Sequence, residues 1–367
     1  MRISDAPRTP VETGRLTIDL AALAANWRFL AARCGAGACG AVVKADGYGI
    51  GLEPAMRTLL AAGCRSFFVA NAAEGRRARA LSREAVIYVF DGLVPGAAAE
   101  LIDADLRPAL GSLAEIAEWA TAGQGRPCAL HFDTGMNRMG LAVADGAQAR
   151  EMTAGLDVAL VMSHFLCSQW RDDPRNGAQI AAFDVARAAF PGVAASLANS
   201  SGLFLPQAAQ YQLARPGYAL YGGNPTPDAA NPMQRVVTLE ARIVAVRHVA
   251  AGASVGYDAG WTAARPSRIA TLGVGYADGI PVGASATPEK PGGVAIMKGV
   301  RCPFVGRVSM DFVTLDVTDV PGAQRGDWAE ILGENISVDD CAARAGTIGY
   351  EILTRLGARY CRRYVGE

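Results

Sequence analysis

The chain has 367 residues, of which 51% are hydrophobic, and its 35 Lys and Arg balance its 35 Asp and Glu. This length and composition predict a globular protein with room for two hydrophobic cores, and they exclude a disordered chain. A net charge of zero gives no basic surface for nucleic acid and no attraction to an anionic membrane.

Targeting and metal-site motifs are missing from the sequence. The first ten residues, MRISDAPRTP, contain no apolar run of the length of a secretory signal. No stretch approaches the roughly 18 consecutive apolar residues of a membrane span, so we expect a cytoplasmic protein. The eight cysteines are scattered without a C-x-x-C pair and no H-E-x-x-H occurs, so we expect reduced thiols and no metal.

Short apolar runs alternate with longer alanine-rich stretches over the first two-thirds of the chain. Residues 53–62, 74–81, 113–122 and 179–190 are predicted helices. This alternation favours a parallel sheet covered on both faces, and eight strand–helix units favour a (β/α)8 TIM-like barrel, placed at residues 12–234. The predicted barrel strands are residues 39–43, 66–70, 86–90, 107–110, 128–132, 158–162, 194–198 and 212–215.

The pattern changes near Pro232, where closely spaced β-rich runs separated by turn residues replace the alternation. This change predicts a second, mainly antiparallel β domain over residues 235–367. Its predicted strands are residues 238–249, 268–272, 294–297, 304–308, 314–317 and 328–331.

Polar side chains follow the predicted barrel strands at the ends where barrel enzymes place their chemistry. Lys44 comes directly after two valines, so we expect its ammonium to be desolvated, which lowers the pKa and suits Schiff-base chemistry. A lysine that extends from the barrel rim into water is the alternative for that residue alone. The other polar residues at strand ends are 133–140, His164, residues 199–201 and Arg215.

Motifs over nearly the whole chain resemble those of the alanine racemases, which are fold-type III pyridoxal-phosphate enzymes. Each motif alone is weak, but together they occur in the family's order and at matching intervals. They are IDLAALAANW from Ile18, VVKADGYGIG around Lys44, DTGMNRMG from Asp133, SHF from Ser163, ANSSG from Ala198, RPGYALYG from Arg215, GYD from Gly256, GYADG from Gly275, GRVSMD from Gly306 and TIGYEILTRL from Thr347.

The resemblance implies interconversion of L- and D-alanine by two bases, which would supply D-alanine for peptidoglycan. Lys44 would carry pyridoxal phosphate and act as one base, and Tyr257 would be the base on the opposite face of the cofactor. Arg215 would hydrogen-bond the pyridine nitrogen. Because an arginine keeps its proton, this contact would weaken the electron sink and suppress transamination.

The remaining roles also come from the resemblance. His164 would stack on the cofactor ring, and the phosphate would be held by Ser200, by the backbone of Gly217 and Tyr218, and by the hydroxyls of Tyr48 and Tyr350. The substrate carboxylate would meet Arg138 and the Met310 backbone, and Tyr276 and Asp311 would line the pocket or its entrance. Taken singly, the tyrosines and Met310 could be packing residues, His164 a core histidine and Arg215 a partner in a rim salt bridge.

The family architecture implies a homodimer with shared active sites. Tyr257, Met310 and Tyr276 would reach the cofactor lysine of a second subunit, so a monomer would lack its second base. Three positions depart from the family pattern. His131 stands where a carbamylated lysine often orients the substrate arginine, Ile50 stands where histidine is common, and Ser309 stands where cysteine is common.

Three alternatives share parts of this pattern. A serine or broad-specificity racemase differs only in pocket shape. A basic amino-acid decarboxylase shares the architecture and the cofactor lysine, but the GYD, SMD and GYADG motifs favour the racemase. A non-catalytic cofactor carrier keeps the barrel and its lysine, but would have no reason to keep a β domain containing Tyr257.

Overall fold

The computed structural model describes residues 12–206 and 209–366, which form two compact units. One unit is Asp19–Val236, and the other combines residues 12–18 with Val237–Val365. The first ten residues, in which the sequence shows no secretory signal, lie outside the described residues.

Short parallel strands form the centre of the unit Asp19–Val236. The first strand of the chain, β1 (Gly14–Asp19), belongs through Ile18 to the other unit. The strands that follow are β2 (Ala38–Cys39), β3 (Ala41–Val42), β4 (Ser66–Val69), β5 (Val86–Val89), β6 (Arg107–Leu110), β7 (Cys128–Asp133), β8 (Leu141–Ala142), β9 (Val158–Met162), β10 (Ala194–Ser196) and β11 (Leu213–Ala214).

The strands close into a barrel. β3, β4, β5, β6, β7, β9 and β10 pair in that order, and β2 pairs with β11, all in parallel. Gly40 alone separates β2 from β3, so together they occupy one position in the ring. The N–H of Arg215 donates to the Ala198 carbonyl at 2.8 Å, and the N–H of Gly40 donates to the Ala214 carbonyl at 2.9 Å. These bonds complete the ring, which confirms the predicted TIM-like barrel.

Burial on both faces explains why these strands contain almost only apolar residues. Phe67 and Phe68 are consecutive in β4, so their side chains point to opposite faces, yet both are buried. A strand between the barrel interior and an outer layer of helices has no face left for water. The helices are α1 (Leu20–Arg33), α2 (Lys44–Tyr48), α3 (Leu52–Ala62), α4 (Ala72–Leu81), α5 (Ala98–Asp103), α6 (Leu113–Ala122), α7 (Gly146–Met152) and α8 (Pro174–Ala188).

The second unit is a mainly antiparallel β structure, as predicted. The strands are β12 (Val237–Val249), β13 (Ser254–Val255), β14 (Trp261–Thr262), β15 (Ser267–Leu272), β16 (Val294–Met297), β17 (Val300–Pro303), β18 (Val313–Asp316), β19 (Trp328–Leu332) and β20 (Cys361–Val365). The largest sheet has the order β17-β16-β19-β12-β1-β20, and β15 pairs with both β12 and β18. Two short helices, α9 (Val338–Ala345) and α10 (Gly349–Thr354), follow most of the strands.

One predicted strand, residues 304–308, is wrong. Phe304 makes a single bridge to Leu315, and Gly306 at φ 68° turns the chain away from an extended conformation. The strand lies just upstream, as β17. It pairs with β16 through a turn in which Lys298 and Gly299 both have positive φ, the geometry of a tight two-residue hairpin.

The boundary between the units differs from the predicted one. Residues 14–18, assigned to the barrel domain by the sequence analysis, pair with β12 and therefore group with the second unit.

Every helix within residues 12–206 and 209–366 is too short or too polar to cross a bilayer.

Candidate active site

Lys44 lies at the end of the first barrel strand and opens an unusual turn. The next four residues all have positive φ: Ala45 at 53°, Asp46 at 54°, Gly47 at 62° and Tyr48 at 51°. Each non-glycine residue in this left-handed region costs roughly 1–2 kcal/mol. Tertiary contacts must therefore hold the turn in place.

Two acidic side chains hold the turn that begins at Lys44. Glu74 accepts the Ala45 N–H at 2.7 Å. Asp46 accepts the Leu52 N–H at 3.1 Å and forms an ion pair with Arg77 at 2.6 Å. The sequence analysis missed Glu74, although its place three residues after Asn71, which caps α4, is a helix-start signal.

The surroundings of Lys44 disfavour its ammonium form. Burial and the nearby guanidinium of Arg138 lower the pKa of Lys44, and the carboxylates of Glu74 and Asp91 partly oppose them. The ammonium nitrogen lies 5.5 Å from the ring centroid of Phe90. Partial desolvation is thus the correct description of this lysine, and it makes the amine a better nucleophile.

Arg215 is a buried cation at the end of the last barrel strand. Only 2% of it is exposed. One guanidinium nitrogen donates to the Ser163 carbonyl at 2.5 Å and another donates to the Ser196 hydroxyl. No carboxylate lies within ion-pair distance of Arg215 in the described parts of the chain, so a rim salt bridge is not its role. Burial lowers the pKa of Arg215 to about 9, which still leaves it charged at neutral pH.

Two histidines stand beside these cations and are neutral. Burial, Arg215 and Arg138 lower the pKa of His131 from its usual 6.5 to about 4. Burial and the charges of Arg215, Arg138, His131 and Lys44 lower the pKa of His164 to about 3. Because the charges of all four groups act on the pKa of His164, these strand ends converge on one place. His131 is a neutral group there, and cannot supply the negative charge of a carbamate.

The loop that carries Arg138 is ordered by the carboxylate of Asp133. That carboxylate accepts the N–H groups of Gly135, Met136 and Asn137, each at 2.8 Å. The Arg138 side chain is exposed. Three backbone donors on one carboxylate fix the loop without using the arginine, which leaves its guanidinium available to an anion.

Hydroxyl and N–H donors cluster between the ends of β10 and β11. The buried Ser200 hydroxyl accepts the N–H groups of Gly217 at 3.0 Å and Ala219 at 3.1 Å. A Cβ at Gly217 would collide with the Tyr48 hydroxyl, so glycine is required for this approach. The Tyr48 ring stacks on Tyr221 with centroids 4.5 Å apart. Tyr218 is buried and begins a short 3₁₀ turn directly after Gly217.

In the second unit, Tyr257 is exposed and borders a cleft. Its exposed fraction is 67%, so Tyr257 is not a packing residue within this chain. The other residues that line this cleft of about 330 Å³ are Gly256, Arg307, Ser309, Phe312 and Thr314. The Arg307 guanidinium forms an ion pair of 2.8 Å with Asp258.

The GYADG and GRVSMD motifs of the second unit are joined through their backbones. The N–H of Tyr276 donates to the Ser309 carbonyl and the N–H of Ala277 donates to the Met310 carbonyl, both at 3.0 Å. A Cβ at Gly275 would collide with both carbonyl oxygens. Met310 is 53% exposed and Tyr276 is 44% exposed. Neither is core filler.

An ion pair that the sequence analysis missed supports these joined motifs. Arg359 donates two hydrogen bonds to the buried Asp278, at 2.7 and 2.8 Å, and one to Asp311 at 2.8 Å. Asp278 also accepts the Gly275 N–H at 2.8 Å. Asp311 is therefore anchored within the chain. Tyr350, near the start of α10, is 40% exposed.

Gln179 is a further residue that the sequence analysis missed. Its buried amide donates to the Thr134 hydroxyl and the His164 carbonyl, and accepts the Leu166 N–H. It therefore ties the loop of Arg138 to the loop of His164. A polar residue inside a helix, as Gln179 is in α8, carries no local signal for such a role.

The cysteines show no pairing. Six are buried, Cys341 and Cys361 are half-buried, and all eight are free thiols. Within the described ranges no three His, Cys, Asp or Glu side chains are grouped as metal ligands.

Comparison with known proteins identifies the family of this chain. The sequence model of the alanine racemase N-terminal domain matches residues 18–225, and that of the alanine racemase C-terminal domain matches residues 236–364. The chain belongs to the alanine racemase family.

Individual members of the alanine racemase family are similar over nearly their whole length. An alanine racemase of Methylobacterium nodulans is 50% identical over 96% of each chain, and one of Methylobacterium sp. strain 4-46 is 51% identical over 96% of this chain and 97% of the relative. The crystal structure of alanine racemase from Bartonella henselae with covalently bound pyridoxal phosphate has a TM-score of 0.92 at 35% identity. It covers 97% of this chain and 100% of its own.

Two of the departures from the family pattern have local explanations. Ile50 is fully buried, so it contributes to packing beside the Lys44 turn. The Ser309 hydroxyl donates to the Phe312 carbonyl at 2.9 Å and accepts the Phe312 N–H at 3.2 Å. A serine at this position thus closes the turn that presents Met310.

Proposed function

We propose that this chain is a pyridoxal-phosphate-dependent racemase that interconverts L- and D-alanine, with Lys44 and Tyr257 as its two bases. Membership of the alanine racemase family supports the reaction. The observation that carries the cofactor assignment is the convergence of Lys44, Arg138, Arg215 and His164 at the barrel strand ends, where the three cations lower the pKa of His164 and Arg138 lowers that of Lys44.

The donor set fits pyridoxal phosphate. The Ser200 hydroxyl accepts the N–H groups of Gly217 and Ala219 and so keeps its own proton to donate to a phosphate. The Tyr48 hydroxyl and the Tyr218 N–H would be further donors, and such donors suit the negative charge of a phosphate. The buried Arg215 can donate to a ring nitrogen but cannot accept. The Lys44 amine, held partly desolvated, suits attachment to an aldehyde. When bound, the cofactor withdraws electrons from the substrate Cα.

Racemisation needs one proton acceptor on each face of the substrate. Lys44 would take the α-proton at its Nζ from one face, and the Tyr257 hydroxyl would return a proton from the other. Arg215 would donate to the cofactor nitrogen without giving up its own proton. An arginine in this place would thus favour return of a proton to the substrate Cα over competing reactions.

Arg138 would bind the substrate carboxylate. Its loop is fixed by Asp133, so the guanidinium needs no intramolecular partner to stay in place. The Met310 backbone would meet the same carboxylate, with Tyr276 and Asp311 at the entrance and Tyr350 beside the phosphate. Neutral His131 does not repel the Arg138 guanidinium, since its pKa is lowered to about 4.

A homodimer with shared sites is part of the proposal. Tyr257, Met310 and Tyr276 are exposed. Large apolar side chains that cluster at a surface usually mark an interface, which supports a partner subunit at this surface. The partner subunit's Tyr257 would then act on the substrate held at Lys44. Formation of D-alanine for peptidoglycan in the cytoplasm is the physiological role that we propose.

Incubation with L-alanine and pyridoxal phosphate in deuterated water tests this function. We expect deuterium at Cα and loss of optical rotation together. Serine in place of alanine measures selectivity, and basic amino acids test for decarboxylation. Release of carbon dioxide, or a yellow protein that exchanges no α-proton, would contradict the proposed reaction.

A further inference from the structure

Glu74 bridges two neighbouring strand ends of the barrel, although it has no role in the proposed chemistry. One carboxylate oxygen accepts the N–H of Ala45 at 2.7 Å, and the other accepts the N–H of Ala70 at 2.8 Å. Ala70 follows β4, which pairs in parallel with β3. The bridge therefore ties the end of β4 to the first residue after Lys44.

The Ala45 N–H belongs to the peptide bond between Lys44 and Ala45. A hydrogen bond to it fixes the plane of that peptide, and with it the direction in which the Lys44 side chain leaves the backbone. This restraint matters because the following residues are left-handed and would otherwise relax toward the right-handed region that L-residues prefer.

A second contact from the same helix supports the turn. Arg77, one turn after Glu74 on α4, binds Asp46 at 2.6 Å and Glu53 at 2.7 Å. These three side chains are close to half exposed, so solvent weakens their pairing. Glu74 is the contact made directly to the peptide bond of Lys44.

We propose that Glu74 is a positioning residue, which holds the left-handed turn and so orients the Lys44 amine for cofactor attachment and proton transfer. The proposal rests on the proposed function, since it takes Lys44 as the cofactor lysine. The Glu74 carboxylate also acts on Lys44 through its charge. Glu74 and Asp91 raise the pKa of Lys44 against the stronger effects of burial and Arg138.

The barrel contains a matched control in Glu115. It too follows a helix cap by three residues, after Ser112 on α6. Its carboxylate accepts the N–H groups of Gly111 at 3.1 Å and Leu93 at 3.2 Å, at the ends of two other strands. Glu115→Gln therefore weakens the same kind of bridge without touching the peptide bond of Lys44, and we expect it to cost a comparable amount of barrel stability.

The first measurement uses the cofactor-free chain. Competitive acetylation with acetic anhydride across pH, read at Lys44 by mass spectrometry, gives the midpoint of its reactivity. We expect the midpoint of Glu74→Gln to move to lower pH, because a charge that favours the ammonium is gone. We expect Glu115→Gln to match the wild type. A midpoint for Glu74→Gln equal to that of Glu115→Gln would overturn the proposal.

The second measurement uses the cofactor-loaded enzyme. We expect Glu74→Gln to lower kcat for alanine roughly 10- to 100-fold with little change in KM, as misplacement of a reacting group does. Glu115→Gln should stay near the wild-type value. If kcat of the two variants agrees, Glu74 is only structural and the proposal fails, whatever the acetylation shows.

Glu74→Asp separates reach from charge. It keeps the carboxylate but shortens the side chain by one methylene, so we expect the wild-type acetylation midpoint with a lowered kcat. If Glu74→Gln does not fold, Glu74→Asp is scored by kcat against Glu115→Asp on the same criterion. A wild-type chain that fails to racemise alanine overturns the proposed function and leaves the acetylation comparison intact.

Discussion

The two units of the molecule present their candidate site residues in opposite ways. In the barrel unit, Arg215, Ser200, Tyr48 and Tyr218 are buried and surrounded by the chain's own hydrogen bonds. In the second unit, Tyr257, Met310 and Tyr276 are among the most exposed large side chains.

This difference separates two kinds of function. The barrel residues have what a cofactor pocket needs within one chain: donors, a buried cation and a partly desolvated lysine. Exposed aromatic and thioether side chains lose hydrophobic free energy to water unless another surface covers them. The comparison therefore assigns cofactor binding to the barrel and predicts that the second unit acts on a site it does not itself complete.

The largest effect should come from the barrel. Lys44→Ala removes the amine that would hold the cofactor, so we expect racemisation to fall by roughly 10⁴-fold or more and the absorbance of lysine-bound cofactor to disappear. A partly exposed lysine contributes little to packing, so the circular dichroism should not change. Retained absorbance of lysine-bound cofactor would show that another lysine carries it and would break the comparison at its centre.

Tyr257→Phe tests the second unit. We expect cofactor binding to persist, because no barrel contact is lost, while racemisation falls by roughly 10²- to 10⁴-fold. Unfolding free energy should change by less than about 0.5 kcal/mol, since the hydroxyl is at the surface. Tyr211→Phe, which removes a hydroxyl bonded to Asp184, serves as the control and should keep its activity. Equal loss in both variants would contradict the assignment.

Mixing the two inactive variants tests whether the units of different subunits complete one site. If Lys44→Ala and Tyr257→Phe exchange subunits freely, half of the dimers are mixed, and each has one intact site and one doubly altered site. We therefore expect about a quarter of wild-type activity to return. No recovery, with exchange shown by mass spectrometry, would place both bases in one chain.

The smallest effect concerns the buried histidine of the barrel. His131 has a pKa of about 4 when folded, against its usual 6.5, so the unfolded chain binds the proton first as pH falls. The contribution of neutral His131 to the free energy of unfolding is complete above pH 6.5. It is lost as the pH drops toward 4, by up to about 1.4 kcal/mol per pH unit. His131→Gln should flatten this part of the curve in urea unfolding. A curve parallel to that of the wild type would show that His131 is solvated.

Sequence patterns predicted the barrel residues because strand ends and site residues coincide there. Lys44 and Arg215 follow apolar runs, so their position is readable from periodicity and from the family motifs. Glu74, Gln179 and the Asp278–Arg359 pair were not predicted, because their partners lie on other elements of the fold. The strand wrongly predicted at residues 304–308 has another cause. A Lys-Gly pair is a weaker sequence signal for a hairpin turn than Asn-Gly, so the hairpin just upstream was not predicted.

Arg215 has a consequence for the protein before it meets its cofactor. The chain folds with a buried guanidinium that has no carboxylate counter-ion among the described residues, close enough to His164 to alter its ionisation. A ligand that brings electron density to this place and binds only the folded chain would add to the stability of the fold. Supply of cofactor would then set the lifetime of the protein against proteolysis, and the cell would keep chiefly those copies that are able to work.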